Sequence, residues 1–196
     1  LGGSFTGFHR LEGTHAYGNP IAAENNWQMG LYITDDGIYG PLIDGSFSGY
    51  VGGVCQGVLR ENRQAGAESL VNVGALNLDV WTDSLPGQHV LYIQRGNLRA
   101  NVRAKNVGRS VCKISSPLPN GLGSNYQCNV IAENVTSHLF EVESTTTTSM
   151  HENVQLNGVG KNIGGAGLSM LNGARNVRAV IEVDDAQHTF KAQGVN

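Results

Sequence analysis

Acidic side chains spaced closely along the chain are the residues with the clearest catalytic potential. Glycoside hydrolysis uses two carboxyl groups that flank the scissile bond, about 5 to 10 Å apart. Asp35 and Asp36 are adjacent, as are Asp184 and Asp185, so on a strand the side chains of each pair would point to opposite faces. Glu141 and Glu143 are separated by one residue and share a face, which makes them the candidate catalytic pair. The alternative is that both simply solvate the edge of a strand.

Cationic, amide and aromatic side chains predict a second kind of chemistry, the binding of a glycan. Polar groups hydrogen-bond sugar hydroxyls, and aromatic faces stack on sugar rings. The candidate glycan-binding residues are Arg103, Lys105, Glu133, Gln155, Arg178, Trp81 and Tyr92. In a polysaccharide lyase, Arg103, Lys105 and Arg178 would neutralise the carboxylate of a uronate. The alternative is a solvated face with a weak Lys105–Glu133 ion pair, and aromatic rings packed in the core or between chains.

Composition excludes several other functions. The net charge is -3 and charged residues make up 15% of the 196 residues, so nothing favours binding to a nucleic-acid backbone. The sequence contains no apolar stretch of the ~18 residues that crossing a bilayer requires, and its histidines match no zinc spacing. The sequence therefore predicts no metal, no cofactor and no membrane insertion.

The three cysteines, Cys55, Cys112 and Cys128, form no CxxC pair. Their odd number argues against a fully paired disulfide framework. We expect them to be buried as small apolar side chains.

A repeat indicates how these residues are positioned. Five similar segments open with the dipeptide Asn-Val, at residues 72, 101, 129, 153 and 176, so the segments recur after 29, 28, 24 and 23 residues. Self-similarity at such a spacing is typical of a solenoid, in which each repeat stacks on its neighbours. Each repeat also needs a returning strand, and the predicted returning strands are residues 90–94, 111–115, 139–143, 168–171 and 189–192.

Aligning the five repeats predicts columns of equivalent residues. The inward columns are Val73, Val102, Val130, Val154 and Val177, and beside them Ala75, Ala104, Ala132, Leu156 and Ala179. Asn77, Asn106, Asn134 and Gly158 form a turn column, because these residue types accept left-handed backbone angles. The outward columns include Leu76, Ile131 and Val180, whose apolar character favours contact with another chain.

The NVxAxNV segments and the asparagine turn column resemble the pectate-lyase-like right-handed β-helix superfamily over about residues 70–194. Within it, the short chain and many polar turns look most like a bacteriophage tailspike or tail-fibre segment. The resemblance implies an all-β fold, a right-handed parallel β-helix covering residues 46–196. Residues 1–45 would form an atypical N-terminal segment that caps the coil or packs against another chain.

The expected function is a virion tailspike-type or fibre-type module that binds host surface polysaccharide, outside the cell or on the virion surface. The expected assembly is a homotrimer. A polysaccharide-degrading enzyme, hydrolase or lyase, on the same scaffold is the alternative, because a fold of this kind hosts both functions.

Overall fold

The computed structural model describes residues 3–13, 29–35, 45–53, 57–63, 76–85, 89–93, 97–116, 123–144, 151–172 and 174–193. Within these ranges the chain forms strands joined by bends, and no residue lies in a helix. The strands are β1 (Gly3–Gly13), β2 (Met29–Asp35), β3 (Gly45–Gly53), β4 (Gly57–Arg63), β5 (Leu76–Leu85), β6 (Leu91–Ile93), β7 (Leu98–Val107), β8 (Cys112–Ser116), β9 (Gly123–Val135), β10 (Phe140–Ser144), β11 (His151–Ile163), β12 (Ala166–Leu171), β13 (Ala174–Asp184) and β14 (His188–Gln193).

The strands alternate between two sheets in which all paired strands run parallel. The odd sheet has the order β1-β3-β5-β7-β9-β11-β13, and the even sheet has the order β2-β4-β6-β8-β10-β12-β14. Each strand therefore pairs with the strand two positions later, and the chain passes to the other sheet after every strand. All five predicted returning strands are confirmed, as β6, β8, β10, β12 and β14.

Apolar residues on one face of each sheet form a shared core. Along most of β7 buried and exposed residues alternate, as the two-residue period of a strand requires. Leu98 and Val102 of the odd sheet belong to the same buried cluster as Leu91 and Phe140 of the even sheet. The polar outer faces are therefore backed by a continuous apolar interior.

Two ladders of asparagine side chains border the odd sheet. In each, an amide Nδ2 donates to the side-chain Oδ1 of the preceding member, at 2.8 to 3.2 Å. The first ladder consists of Asp83, Asn106, Asn134 and Asn162, and the second of Asn97, Asn125, Asn153 and Asn176. All seven asparagines have a φ between 53° and 63°, where asparagine is better tolerated than most residues. The ladders therefore mark the bends at which the chain enters and leaves the odd strands.

The prediction of one continuous valine column is wrong, because the structure divides it into two. Val102 and Val130 are register partners, but Val154 pairs with Tyr126 on one side and with Val177 on the other. The two columns lie four residues apart along the odd strands. The residues that bond to each other in the ladders give the true spacing of the repeat. They are 28 residues apart in the middle of the chain and 23 residues apart at the first and last steps.

The four-residue offset arises because the dipeptide occupies two different positions. Asn101 and Asn129 lie on the exposed face of extended strands, before a buried valine. Asn153 and Asn176 lie at the left-handed bends, also before a valine. The leading Asn-Val of the aligned segments therefore lies on an extended strand in the middle of the chain and at a bend near its end.

The predicted burial of the inward columns is largely confirmed within the described residues. Val102, Val130, Val154, Ala104, Ala132 and Leu156 are buried. Val177 is half-buried and Ala179 is exposed, because β13 is the last strand of the odd sheet in the described part of the chain and no further described strand packs over it. Val73 and Ala75 lie outside the described residues.

The turn column is correct for Asn106 and Asn134, whose side chains hydrogen-bond to each other at 2.9 Å, and wrong for its other two members. Asn77 pairs with Arg99 inside the strands, and Asp83 takes its predicted place in the ladder. Gly158 faces the core, where a Cβ would lie 2.6 Å from Phe140.

The alternation of strands extends into residues 1–45, since β1 pairs with β3 and β2 with β4. The capping role of residues 1–45 and the division of the chain at residue 45 stay predictions. No helix in the described part of the chain is long and apolar enough to cross a membrane.

The ladder can be tested at its central step. We expect Asn134→Val to lower the free energy of unfolding by about 1 to 3 kcal/mol, because a β-branched residue resists the left-handed angle and two ladder hydrogen bonds are lost. Asn134→Gly can keep the left-handed bend, so we expect it to lower the free energy of unfolding by less, about 0.5 to 1.5 kcal/mol. Urea unfolding followed by circular dichroism measures both.

The matched control is Asn129→Val, which alters an amide on an extended strand instead of at a bend. If Asn129→Val lowers the free energy of unfolding as much as Asn134→Val does, the left-handed position has no special role.

Candidate functional site

The outer face of the odd sheet carries rows of register-paired side chains that cross the strands. One row, the aromatic row, consists of Tyr50, Trp81, Arg103, Ile131 and Val159. Trp81 is 55% exposed and Ile131 is 57% exposed, although both are large apolar side chains. Burying such groups is favourable, so their exposure in one row makes this face the candidate binding surface.

Trp81 lies in an open depression of about 450 Å³ near the start of the aromatic row. The depression is lined by Ser48, Gly49, Asp79, Val80, Trp81 and Arg103. The ring of Tyr50 meets Trp81 edge-on, with ring centroids 5.2 Å apart and an angle of 69° between the planes. This contact packs one side of the indole against Tyr50 and leaves part of its surface in solvent.

The strands place a hydroxyl, a carboxylate and a guanidinium around the indole. Ser48 and Asp79 are register partners, as are Trp81 and Arg103. An aromatic face flanked by hydrogen-bonding groups of both charges can bind an amphipathic ring such as a sugar. Sequence reasoning identified Trp81 and Arg103 but missed Asp79 and Tyr50. Asp79 shares a face with Trp81 on β5, so strand alternation could have found it, whereas Tyr50 becomes a neighbour only through strand register.

A second row next to the aromatic row consists of amides. Asn129 Nδ2 donates to Asn101 Oδ1 at 2.9 Å, and Asn157 Nδ2 donates to Asn129 Oδ1 at the same distance. These side chains are held by each other, so their remaining hydrogen-bonding atoms face solvent in a regular order. The row offers a repeating polar track beside Arg103.

Lys105 and Glu133 lie in a third row and form the ion pair that the sequence predicted, at 3.5 Å. Register extends this row to Asp83, Lys105, Glu133, Lys161 and Asp184, so the sign of the charge alternates from strand to strand. The Lys105–Glu133 pair is about half exposed, and such pairs contribute little to stability. The alternation keeps the row near neutrality.

The other predicted glycan-binding residues lie apart from Trp81. Gln155 and Arg178 are exposed register partners, but their row is separated from the aromatic row by four positions along the strands. Tyr92 belongs to the even sheet, where it pairs with Lys113. The structure thus brings together Trp81 with Arg103, and Lys105 with Glu133.

Glu141 and Glu143 do share a face, on the even sheet, and both contact one lysine. Lys113 Nζ lies 2.8 Å from Glu141 Oε1 and 2.6 Å from Glu143 Oε2. Ser110 Oγ donates to Glu141 Oε2 at 2.7 Å. The three charged side chains are mostly buried, so their hydrogen bonds are stronger than those of exposed pairs.

The electrostatics of this cluster favour the charged form of Glu141. Burial acts to raise the pKa of the Glu141 carboxyl, but hydrogen bonds from Lys113 and Ser110 outweigh it and lower the pKa below its usual value. A general acid needs a raised pKa, which keeps its proton available near neutrality. The arrangement is that of a structural ion cluster, and a catalytic role for Glu141 and Glu143 stays a prediction.

His89 lies buried beside this cluster, and its Nδ1 has no hydrogen-bond partner. Burial lowers the pKa of His89 to about 4, although Glu141 opposes the shift; Lys113 and Arg109 add to it. Across the described ranges, no group of three or more His, Cys, Asp or Glu side chains converges as a metal site would require.

A scan against protein-family models and searches of curated proteins and solved structures found no match to this chain.

The lowered pKa of His89 predicts a pH dependence of stability. The unfolded state takes up this proton near pH 6.5 and the folded state only near pH 4, so stability is lost as the pH falls between these values. His89 contributes at most about 3 kcal/mol to this loss. We expect His89→Leu to reduce the slope of unfolding free energy against pH, measured by urea titrations from pH 7 to pH 4.

The control is His188→Leu, which removes an exposed histidine. This variant separates the loss of any histidine from the loss of the buried one. If His89→Leu leaves the slope unchanged, burial of neutral His89 does not contribute to the pH dependence.

Proposed function

We propose that the two sheets are the faces of a right-handed parallel β-helix. A coil with two strands per turn makes every strand pair with the strand two positions later, which is the order found here. Stacked asparagines at constant bends fit such a coil, because equivalent residues of successive turns lie about 4.8 Å apart. The right hand follows the general preference of crossovers between parallel strands.

We propose that the function of this β-helix is to bind a surface polysaccharide through the outer face of the odd sheet. The observation that carries the proposal is the exposed Trp81, held by Tyr50 in a depression with Asp79 and Arg103. The indole stacks on the apolar face of a sugar ring, and the two charged groups hydrogen-bond its hydroxyls. A carboxylate on the sugar would pair with the Arg103 guanidinium.

The rows favour a polymer over a single sugar. Successive side chains of a row lie about 4.8 Å apart, which is comparable to the length of one sugar unit. A glycan chain running along the rows would contact Trp81 and Arg103 and then the amides of Asn101, Asn129 and Asn157. Each amide presents the same groups, so the track suits a ligand that itself repeats.

A polysaccharide hydrolase or lyase remains the second candidate, on the resemblance alone. Glu141 and Glu143 belong to the even sheet, whereas Trp81 and Arg103 belong to the odd sheet. Both carboxylates are bound to Lys113, and the lowered pKa of Glu141 disfavours proton donation. Binding without cleavage is therefore the better supported function.

We further propose that the module belongs to a bacteriophage tailspike or tail fibre, outside the cell, and assembles as a homotrimer. The assembly is supported by Ile131, Val159 and Val180, which point outward and are 50 to 59% exposed. They lie on β9, β11 and β13, away from Trp81 on β5. The glycan track would then run along the border of the subunit contact, because Asn129 and Asn157 of the amide row lie on the same strands as Ile131 and Val159.

Glycan binding is tested by replacing the indole. We expect the protein to bind a subset of an array of purified bacterial capsular and O-antigen polysaccharides, without shortening them. Trp81→Ala should weaken that binding at least about tenfold, because the stacking surface is lost. Titration calorimetry with the strongest glycan of the array measures the change.

The matched control is Tyr92→Ala, which removes an aromatic side chain from the even sheet and should leave the affinity unchanged. Equal affinities of Trp81→Ala and the unaltered protein, or an array without any bound glycan, would contradict the proposed site. Shortened glycan products would support the enzyme instead.

Assembly is tested by placing a charge in the apolar end of the outer face. We expect the unaltered protein to have a trimer mass in light scattering and Ile131→Lys to have a monomer mass, because a buried unpaired ammonium opposes association. Gln155→Lys is the control, since Gln155 is exposed outside the aromatic row and its replacement should preserve the trimer. A monomer mass for the unaltered protein excludes the homotrimer.

A further inference from the structure

Two cysteines lie in contact inside the core. The Sγ atoms of Cys112 and Cys128 are 3.9 Å apart, and neither residue has any exposed surface. Both are free thiols in the structure. Two thiols in a core usually pack among aliphatic side chains, so their direct contact is an observation that apolar packing alone does not require.

The contact bridges the two sheets. Cys112 opens β8 of the even sheet, and Cys128 lies within β9 of the odd sheet. Their neighbours in register are Leu91 and Phe140 for the first and Ala100 and Leu156 for the second. A bond at this point would connect the sheets through the interior.

We propose that Cys112 and Cys128 are a cross-linking site, which forms an intramolecular disulfide when the protein folds under oxidising conditions. The Sγ atoms must approach by about 2 Å to reach bonding distance, which side-chain rotation can supply where the two residues already touch. The proposal does not depend on glycan binding.

The oxidant is a small-molecule disulfide such as oxidised glutathione, and with it the reaction balances in atoms and electrons. A Cys112 thiolate attacks one sulfur of the oxidant, releases one thiol and forms a mixed disulfide. The Cys128 thiolate then displaces the second thiol and forms the Sγ–Sγ bond. Two protein thiols are oxidised and one oxidant disulfide is reduced to two thiols.

The environment determines when this reaction takes place. The contact with Cys128, together with burial, raises the pKa of the Cys112 thiol well above its usual value. A protonated, inaccessible thiol exchanges slowly, because the thiolate is the reactive form. The bond must therefore form during folding or in an opened state, and once formed it is shielded from reductants.

The experiment refolds the reduced full chain with either oxidised and reduced glutathione or dithiothreitol. Free thiols are then alkylated under denaturing conditions, and the peptides are identified by mass spectrometry. We expect one alkylated cysteine, Cys55, after oxidative refolding and three after reductive refolding. The linked form should melt roughly 6 to 12 °C higher, as expected for a cross-link closing a loop of this length.

Resistance of the disulfide to reduction supplies a second measurement. We expect dithiothreitol to reduce the linked protein only when urea is added, because reduction requires opening of the core. Cys55→Ser should form the same cross-link and leave no free thiol, whereas Cys128→Ser should form no intramolecular Cys112 bond. Three free thiols after oxidative refolding, a mixture of pairings that includes Cys55, or a lower melting temperature of the linked form would overturn the proposal.

Discussion

Left-handed backbone at the asparagine bends is the constraint on which the rest of this protein depends. Asn106, Asn134 and Asn162 turn the chain at one border of the odd sheet, and their amides bond to one another across the strands. Since each amide must meet the one before it, the ladder fixes which residues of neighbouring strands are paired. A slip by one residue would break the ladder and turn the apolar face of the strand toward water.

Register in turn assembles the outer faces. Trp81 has Arg103 beside it, and Lys105 has Glu133 beside it, because the same pairing places the buried residues of β5, β7 and β9 in contact. The polar groups of the candidate glycan site are thus positioned by the packing of the core behind them. This arrangement places Trp81 and Arg103 of the candidate site on paired strands instead of on loops.

The two outer faces differ in how far their side chains already interact with other groups of the protein. On the even sheet, the partly buried Lys113 forms ion pairs with both Glu141 and Glu143. On the odd sheet, Trp81 and Ile131 remain exposed beside polar rows. Groups whose interactions are already satisfied within the protein gain little from a ligand, whereas exposed apolar surface gains by being covered.

The sequence by itself determined the parallel all-β character, the five returning strands, the Asn106–Asn134 contact and the shared face of Glu141 and Glu143. Local periodicity is sufficient for the strands and for the shared face, because strand alternation is a property of short segments. The parallel character and the Asn106–Asn134 contact followed from the repeat, because equivalent residues of successive repeats stack on one another. Only the tertiary structure decided that Val154 stacks on Tyr126, that Gly158 faces Phe140 and that Cys112 touches Cys128. These contacts depend on how far each strand is offset from the strand it pairs with, and that offset follows from packing across the core between residues distant in sequence.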